Sequence, residues 1–225
     1  MQYMIHASPA RMWYVEEFLL PSMLAQGIQP AEVEIRNDTE GLGNLFACME
    51  SFRDCGSRPG GTWHLQDDVV LAPDFAERTA KHDSGVVSGF GHTSWGPSMQ
   101  ERGKVPVCFL WYSFQCQRIP NEIAGACAEW FFQTAQHDPG YRQMVADRKH
   151  DDQFFRDFLF KHYPDLWITN LDPCLVDHID YLIGGTLVNR LRKEKITRAA
   201  FWPYESTVTE LQKQLLLRNQ PGKPV

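Results

Sequence analysis

The sequence has no long apolar run and no excess of positive charge. None of its hydrophobic stretches approaches the ~18 residues that a membrane-spanning helix needs. The 22 Lys and Arg residues are outnumbered by 28 Asp and Glu residues, so the formal net charge is −6 and no overall positive field attracts nucleic acid. A local basic patch is compatible with this charge, so nucleic acid is not excluded as a partner. The opening stretch MQYMIHASP lacks the basic and apolar regions of a signal peptide, and we expect no membrane span and a cytoplasmic location.

Several well-known catalytic and metal-binding motifs are also missing. The six cysteines form no Cys-x-x-Cys pair, and the eight histidines show neither H-E-x-x-H nor the spacing of a zinc site. The G-x-S-x-G motif of nucleophile-elbow hydrolases does not occur either. We therefore expect buried free thiols in a reducing compartment, and nothing in the sequence supports a zinc site or a serine hydrolase.

Strand-like and helical patterns alternate over roughly the first 135 residues. The strand-like segments are Tyr3–Ala7, Ala31–Ile35, Thr62–Leu65, Gly85–Phe90 and Val105–Phe114. Helical spacing of apolar residues is found over Met12–Met23, Leu45–Phe52 and Ile123–Thr134. This alternation predicts an α/β domain with a mostly parallel mixed sheet and helices on both faces. In such sheets ligands bind beyond the carboxyl ends of the strands.

Two adjacent aspartates, Asp67 and Asp68, stand between apolar runs in TWHLQDDVVLAPDF. Ionised carboxylates are costly to bury without a partner, so their charge needs a counterpart. At a strand end, such a pair offers hard oxygen ligands for Mg²⁺ or Mn²⁺ and leaves positions open for substrate phosphates. The structural alternative is that one aspartate caps a turn and the other pairs with an arginine. The pair alone does not decide between these roles.

Two later segments also carry groups suited to catalysis. In HDDQFF, one of Asp151 and Asp152 is expected to cap the following Phe-rich helix, and a functional role requires the other to face the cleft as a general base. In PCLVDHIDYLIGG, His178 stands between two aspartates. That setting suits a metal ligand whose tautomer is fixed by a carboxylate, or a satisfied core histidine.

The segment RNDTEGLGN, residues 36–44, leads from a strand into a helix. Asp38, Gly43 and Asn44 are placed there to hold a nucleotide through side-chain and backbone hydrogen bonds. The segment is not a dinucleotide-binding fingerprint, because G-x-G-x-x-G does not fit. It is not a P-loop either, because no Gly-Lys-Ser/Thr follows.

Taken in order, these pieces resemble the glycosyltransferases of the GT-A type over roughly residues 3 to 190. The family's metal motif is an acidic pair at a strand end, and Gln66-Asp67-Asp68 stands at that place between WHL and VVLAPDF. The segment FLWYSFQCQRIPNEIAGACAEWF is similar to the family's acceptor side. SPARMWYVEEFL resembles its first strand-to-helix loop, and PCLVDHIDYLIGG resembles its late histidine segment.

The resemblance implies a single GT-A-like domain, a nucleotide-sugar donor, and Mn²⁺ or Mg²⁺ as cofactor. It implies Asp68 and His178 as metal ligands. If the enzyme inverts, it implies Asp151 or Asp152 as the base that accepts the proton of an acceptor hydroxyl. The donor-binding residues that it implies are Arg11, Asp38, Gly43, Asn44, Gln66 and Asp67. Gln66 departs from the family pattern by replacing an acidic residue, which makes Asp68 the principal metal ligand.

The predicted organisation is a catalytic domain over residues 1–204, with a nucleotide-binding half at about 1–100 and an acceptor half at about 101–204. The capping box Thr207-x-x-Glu210 predicts a C-terminal helix over 205–218, before a flexible tail at 219–225.

Ser94–Gly103 is expected to be a loop that orders over the donor. The basic stretch Arg190–Arg198 suits either a solvated helix face or a contact with phosphate. Candidates for stacking on a sugar are Trp95, Trp111 and Trp167.

Several functions stay open at this point. The acceptor is a saccharide, a protein, a small molecule or a modified nucleobase, and the sequence does not choose among them. One alternative is a metal-dependent phosphodiesterase or nuclease that uses Asp67, Asp68, Asp151 and His178. Another alternative is a non-catalytic nucleotide-binding module, although the retained acidic pairs argue against it.

Overall fold

The structure is a computed structural model that describes residues 1–91, 103–106, 114–183, 199 and 202–218. Some of the features predicted above lie wholly or largely outside these residues. They are the loop Ser94–Gly103, most of the strand-like segment Val105–Phe114, Trp95, Trp111, Cys108, the basic stretch Arg190–Arg198 and the tail at 219–225.

The fold is built on a seven-stranded sheet, in the order β2-β1-β3-β7-β5-β8-β6. Its strands are β1 (Gln2–Ala7), β2 (Val33–Asn37), β3 (Gly61–Gln66), β5 (Val86–Ser88), β6 (Gly103–Pro106), β7 (Cys116–Pro120) and β8 (Trp167–Asn170). The pairings show that β2, β1, β3, β5 and β8 run in one direction, and β7 and β6 in the other. The predicted mixed and mostly parallel sheet of an α/β domain is therefore confirmed.

Helices cover both faces of this sheet. They are α1 (Met12–Tyr14), which continues through a π-helical turn (Val15–Leu19) into α2 (Leu20–Ala25), α3 (Asn44–Gly56), α4 (Phe75–Ala80), α5 (Asn121–Gln133), α6 (Arg142–Asp147), α7 (Asp151–His162), α8 (Asp180–Ile183) and α9 (Glu205–Arg218). The apolar residues of α1, α2, α4 and α9 pack in one buried core, and those of α3, α5 and α7 pack in a second.

The two cores follow from the two-residue period of the strands, since neighbouring side chains point to opposite faces of a sheet. In β5, Val87 belongs to the first core, whereas its neighbour Val86 belongs to the second. In β7, Cys116 belongs to the first core and Ile119 to the second. Both faces are therefore apolar, as expected of a sheet that helices cover on each side.

A separate two-stranded sheet joins β4 (Val69–Leu71) and β9 (Val176–His178) in antiparallel register, with Val69 opposite His178. β4 begins directly after the acidic pair Asp67-Asp68. This small sheet therefore places β9, which lies more than a hundred positions later in the chain, next to the end of β3.

The structure differs from the predicted elements at three places. Strand β7 was not predicted, because QCQRI shows no clear alternation of apolar and polar residues. β2 begins at Val33 instead of Ala31, since Pro30–Glu32 forms a 3₁₀ turn. The helical segment predicted over Met12–Met23 is not a regular α-helix: it widens into the π-helical turn just before Pro21 and continues to Ala25, which accommodates a residue that lacks a backbone N–H.

No helix in the described part of the chain is both long and apolar enough to cross a membrane. Within the same part of the chain, five cysteines are buried free thiols: Cys48, Cys55, Cys116, Cys127 and Cys174.

Helices α3 and α5 approach each other most closely at a pair of glycines. A Cβ added to Gly125 would lie 2.8 Å from Gly56 Cα, and one added to Gly56 would lie 2.5 Å from Gly125 Cα. Both distances are too short for carbon atoms, so the helices must move apart to accept a methyl group there.

We expect Gly125→Ala to lower the free energy of unfolding by about 1–3 kcal/mol through this overpacking, measured by urea denaturation. Gly91→Ala is the control, because a Cβ at Gly91 meets nothing within 4 Å.

Candidate active site

The candidate site lies where β1 and β3 end side by side. The two strands are parallel neighbours, and His6 in β1 is opposite Gln66 in β3. The chain leaves β1 into a 3₁₀ turn, Pro9–Arg11, and leaves β3 into Asp67-Asp68. Because the strands are in register, the turn and the acidic pair lie against each other at the same edge of the sheet.

Arg11 bridges both aspartates. Its Nη2 lies 2.6 Å from Asp67 Oδ1, and its Nη1 donates to Asp68 Oδ2 at 2.6 Å. The second oxygen of Asp67 accepts a hydrogen bond from the backbone N–H of Ser8 at 2.6 Å. The arginine partner foreseen as the structural alternative is thus present, and it serves both carboxylates at once.

His178 completes the cluster from the opposite side. Its Nε2 lies 3.2 Å from Asp68 Oδ2, and its Nδ1 lies 3.6 Å from Asp180 Oδ1. The antiparallel pairing of β9 with β4 holds this histidine in place, and the N–H of Ile179 donates to the carbonyl of Asp68 at 2.8 Å. We call Arg11, Asp67, Asp68 and His178 the ion-pair cluster. All of its side chains are largely buried, with 11% exposure at Arg11 the highest value among them.

The two aspartates of the cluster differ in their electrostatics. Burial raises the pKa of Asp67 to about 6, with a further rise from the charge of Asp68 that Arg11 partly offsets. Burial alone would also raise the pKa of Asp68, but His178 and Arg11 outweigh it and hold that pKa well below its usual range. Burial opposes the charge on His178, yet Asp68 raises the pKa of the imidazole overall. Asp68 is therefore the firmly ionised member, facing the Arg11 guanidinium and an imidazole whose pKa is raised.

Asp151 and Asp152 open α7 near this cluster. The residue before the helix is His150, in a left-handed conformation, and Asp151 is the first helical residue. Neither aspartate is therefore the N-cap, contrary to the sequence-based expectation. Burial raises the pKa of Asp151 to about 7, followed by the charge of Asp152 and, more weakly, of Asp68. The effect of Asp68 indicates that Asp151 and the ion-pair cluster share one region of the molecule.

The loop after β2 is folded by Asp38. Its two carboxylate oxygens accept the backbone N–H groups of Leu42 at 2.7 Å and Gly43 at 2.8 Å. Gly43 has a positive φ of 82° and precedes α3, whose first residue is Asn44. A Cβ at Gly43 would lie 2.6 Å from Arg148 Cβ, so this glycine lets the segment before α7 approach α3. In the described structure the side chain of Asp38 thus shapes the loop.

Gln66 and Trp167 lie in different surroundings. The side chain of Gln115 donates to Gln66 Oε1 at 3.3 Å, so Gln66 contacts the residue just before β7. Trp167 begins β8, which runs in the direction of β3, so it lies at the edge of the sheet opposite to the ion-pair cluster. With 57% of it exposed, Trp167 lies on the surface, away from the ion-pair cluster.

Three contributors to the site were not predicted as such. The N–H of Ser8 is a backbone donor, and backbone donors have no signature in a sequence. Asp180 faces His178. The spacing D-H-I-D already suggested an aspartate beside the imidazole, but it did not show which of the two neighbouring aspartates this would be. Arg148 and His150 precede α7 in the left-handed conformation, which is uncommon for residues other than glycine.

The cluster offers part of a divalent cation site. Asp68 Oδ1 and His178 Nδ1 are buried and have no hydrogen-bond partner among the described residues, which is unusual for polar atoms in a folded protein. A carboxylate oxygen and an imidazole nitrogen suit Mn²⁺ better than Mg²⁺, which prefers oxygen ligands throughout. No group of three His, Cys, Asp or Glu side chains in the described part of the chain is arranged to hold a metal. Asp68 Oδ1 and His178 Nδ1 are the open atoms of the cluster that a cation would use, and its other ligands would come from substrate or water.

Comparison with known proteins finds similarity to solved structures. No family model and no curated protein matches the chain. One similar structure is described as a glucose-1-phosphate thymidylyltransferase from Bacillus anthracis in complex with a sucrose, with 8% identity and a TM-score of 0.42 over 85% of this chain and 93% of that chain. Another is a protein from STIV, with 14% identity and a TM-score of 0.41 over 80% of this chain and 86% of that one.

The raised pKa of Asp151 predicts how stability depends on pH. The folded protein keeps a proton on this carboxyl up to a pH of about 7, whereas an ordinary aspartate loses it near 3.8. The contribution of Asp151 to stability is therefore complete below the lower value and is lost as the pH rises through the upper one. We expect Asp151→Asn, which cannot ionise, to be more stable than the wild type by roughly 1–3 kcal/mol at pH 8 and by much less at pH 4.5.

Thermal and urea unfolding of both proteins across this pH range measure the effect. Asp147→Asn removes a carboxylate of the same type from an exposed position in α6 and is the control for net charge. A constant difference between wild type and Asp151→Asn over the whole range would show that the carboxyl is ionised in the folded protein throughout.

Proposed function

We propose that the chain is a metal-dependent glycosyltransferase that moves a sugar from a nucleotide-sugar donor to an acceptor hydroxyl. The observation that carries this proposal is the meeting of Arg11, Asp68 and His178 at the carboxyl ends of parallel strands. In open α/β sheets this edge is where ligands bind. The cluster combines the acidic and cationic groups that a sugar diphosphate and a divalent cation require.

The donor diphosphate would bind at the ion-pair cluster. Asp68 and His178 would hold Mn²⁺ or Mg²⁺, and when bound the cation would neutralise charge on the leaving diphosphate. Arg11 provides a planar guanidinium with several N–H donors, which suits phosphate oxygens as well as the carboxylates that it contacts now. Asp67, whose backbone and side-chain partners hold it rigidly, is assigned to the ribose.

The nucleoside would lie along the ends of β1 and β2. Asp38 builds the loop there through two backbone hydrogen bonds, and Gly43 and Asn44 lead into α3, whose amino-terminal dipole favours an anion or a polar base edge. Gln66 ends β3 next to this surface. We assign these residues to donor binding through their position and their backbone groups.

Asp151 is the proposed base for the acceptor hydroxyl. It is more deeply buried than Asp152, whose Oδ1 already accepts the N–H of Gln153 at 2.8 Å. Its pKa of about 7 is close to the value at which a carboxylate is ionised at neutral pH and still a useful proton acceptor. Among the two candidates from the sequence, Asp151 is therefore the better base.

A thermal unfolding screen tests the proposal without knowledge of the acceptor. The protein is heated with each member of a panel of nucleotide-sugars, with Mn²⁺ present or with EDTA in its place. A ligand that binds only the folded state raises the melting temperature, by an amount set by its concentration relative to its Kd. We expect one donor to raise it in Mn²⁺ and to lose this effect in EDTA.

The same screen separates the transferase from a phosphodiesterase or nuclease. Incubation of the stabilising donor with the enzyme, followed by assay of released nucleotide and sugar, reports slow donor hydrolysis by a transferase. No response to any donor, together with cleavage of a phosphodiester substrate in Mn²⁺, would overturn the proposal in favour of the phosphoesterase.

Asp68→Asn should abolish the EDTA-sensitive part of the donor response. It also removes the charge that balances Arg11 and His178, so we expect it to cost about 3 kcal/mol of stability. This cost means that the substitution is not neutral for the fold. Asp67→Asn is the matched control: it removes the other carboxylate of the pair and should weaken donor binding while its response to EDTA persists. An EDTA-sensitive response of wild-type size in folded Asp68→Asn contradicts the metal assignment.

A further inference from the structure

Arg11 occupies the carboxylate oxygens that a divalent cation would need. Asp67 Oδ1 and Asp68 Oδ2 each lie 2.6 Å from a terminal nitrogen of its guanidinium. Asp67 Oδ2 accepts the N–H of Ser8. Of the four carboxylate oxygens in the pair, Asp68 Oδ1 is the one with no hydrogen-bond partner among the described residues. A cation that approaches the pair therefore meets a single open oxygen and a fixed positive charge beside it.

The bridging contact is strong because it is buried and spans two groups. Charge-assisted hydrogen bonds to a guanidinium are among the strongest in proteins, and little water is present here to compete for them. Releasing Arg11 without a new partner would leave a buried cation and two buried carboxylates uncompensated, and such unpaired charges are costly. The exchange of Arg11 for a metal ion is therefore unfavourable unless the guanidinium gains another anion.

We propose that Arg11 closes the acidic pair in the ligand-free protein, and that a divalent cation binds tightly only together with a ligand that carries two adjacent phosphoryl groups. This inference rests on the proposed function and deepens it by naming the chemical class that opens the site. Two phosphoryl groups are required because the guanidinium gives up two carboxylate contacts. A diphosphate replaces both with bidentate contacts, and also supplies oxygen ligands to the cation. A single phosphate replaces fewer of them.

The test is a Mn²⁺ titration by calorimetry, at matched free Mn²⁺, in buffer alone, with inorganic phosphate and with pyrophosphate. Pyrophosphate is the probe because it carries the diphosphate without base or sugar. We expect wild-type protein to bind Mn²⁺ weakly in buffer and with phosphate, and about 10-fold more tightly with pyrophosphate. By reciprocity, Mn²⁺ should tighten the binding of pyrophosphate by the same factor.

Substitution of Arg11 separates this mechanism from simple charge attraction. Arg11→Gln should bind Mn²⁺ in buffer alone about 10-fold more tightly than the wild type, and pyrophosphate should add little. Arg58→Gln is the control, because Arg58 pairs with the carboxylate of Glu34 just before β3 begins, at the edge of the sheet opposite to the cluster. It should behave like the wild type. Circular dichroism and urea unfolding verify that each variant is folded.

Arg11→Lys keeps the test decisive if Arg11→Gln does not fold. Lysine preserves the positive charge, but its single ammonium group cannot reproduce the two-pronged bridge between the aspartates. This variant should therefore bind Mn²⁺ in buffer better than the wild type. If Arg11→Lys binds no better than the wild type, bridging is not the barrier and the inference is wrong.

The remaining outcomes distinguish the inference from the function on which it rests. Tight Mn²⁺ binding by wild type and Arg11→Gln alike, without any anion, overturns the closing role of Arg11 and leaves a metal-dependent transferase standing. An equal effect of pyrophosphate on both proteins has the same meaning. Absence of Mn²⁺ binding in every protein and every buffer overturns the metal-dependent function itself.

Discussion

The need to compensate the charge of two buried carboxylates organises this end of the molecule. Asp67 and Asp68 are almost wholly buried, and an isolated ionised carboxylate is not tolerated in such a place. Arg11 reaches them from the end of β1 and His178 from β9, so three distant parts of the chain are held together by one set of ion pairs. The 3₁₀ turn after β1, the small β4–β9 sheet and the parallel register of β1 with β3 are all arrangements that deliver these partners.

The same arrangement explains why a stable cluster can also be a reactive one. Buried ion pairs often contribute little net stability, because the cost of removing water offsets the attraction between the charges. What they provide here is a set of preorganised groups, with Asp68 ionised, His178 biased toward its charged form and Asp68 Oδ1 without a partner among the described residues. Under the proposed function, a ligand that offers both a cation and an anion would exchange partners with the cluster and leave no charge unpaired.

Much of the α/β architecture follows from local patterns in the sequence. Apolar residues at helical spacing correctly predict the inward face of α3, and the apolar segments Tyr3–Ala7 and Thr62–Leu65 correctly predict β1 and β3. The direction of β7 could not be predicted in this way, since the sequence of a strand does not encode which neighbour it pairs with. The π-helical turn before Pro21 was not predicted, because such a turn has no reliable sequence signature.

For the candidate site, the sequence by itself determined which groups are available: an acidic pair between buried runs, a histidine flanked by aspartates, and an arginine after the first strand. It could not determine that Arg11 would bridge both members of the pair, or that Asp151 would be the first residue of α7 and not its cap. Those outcomes depend on distances between segments far apart in the chain. Only the tertiary structure sets these distances, because the packing of the whole sheet and its helices decides which charged side chains lose their water and must find each other.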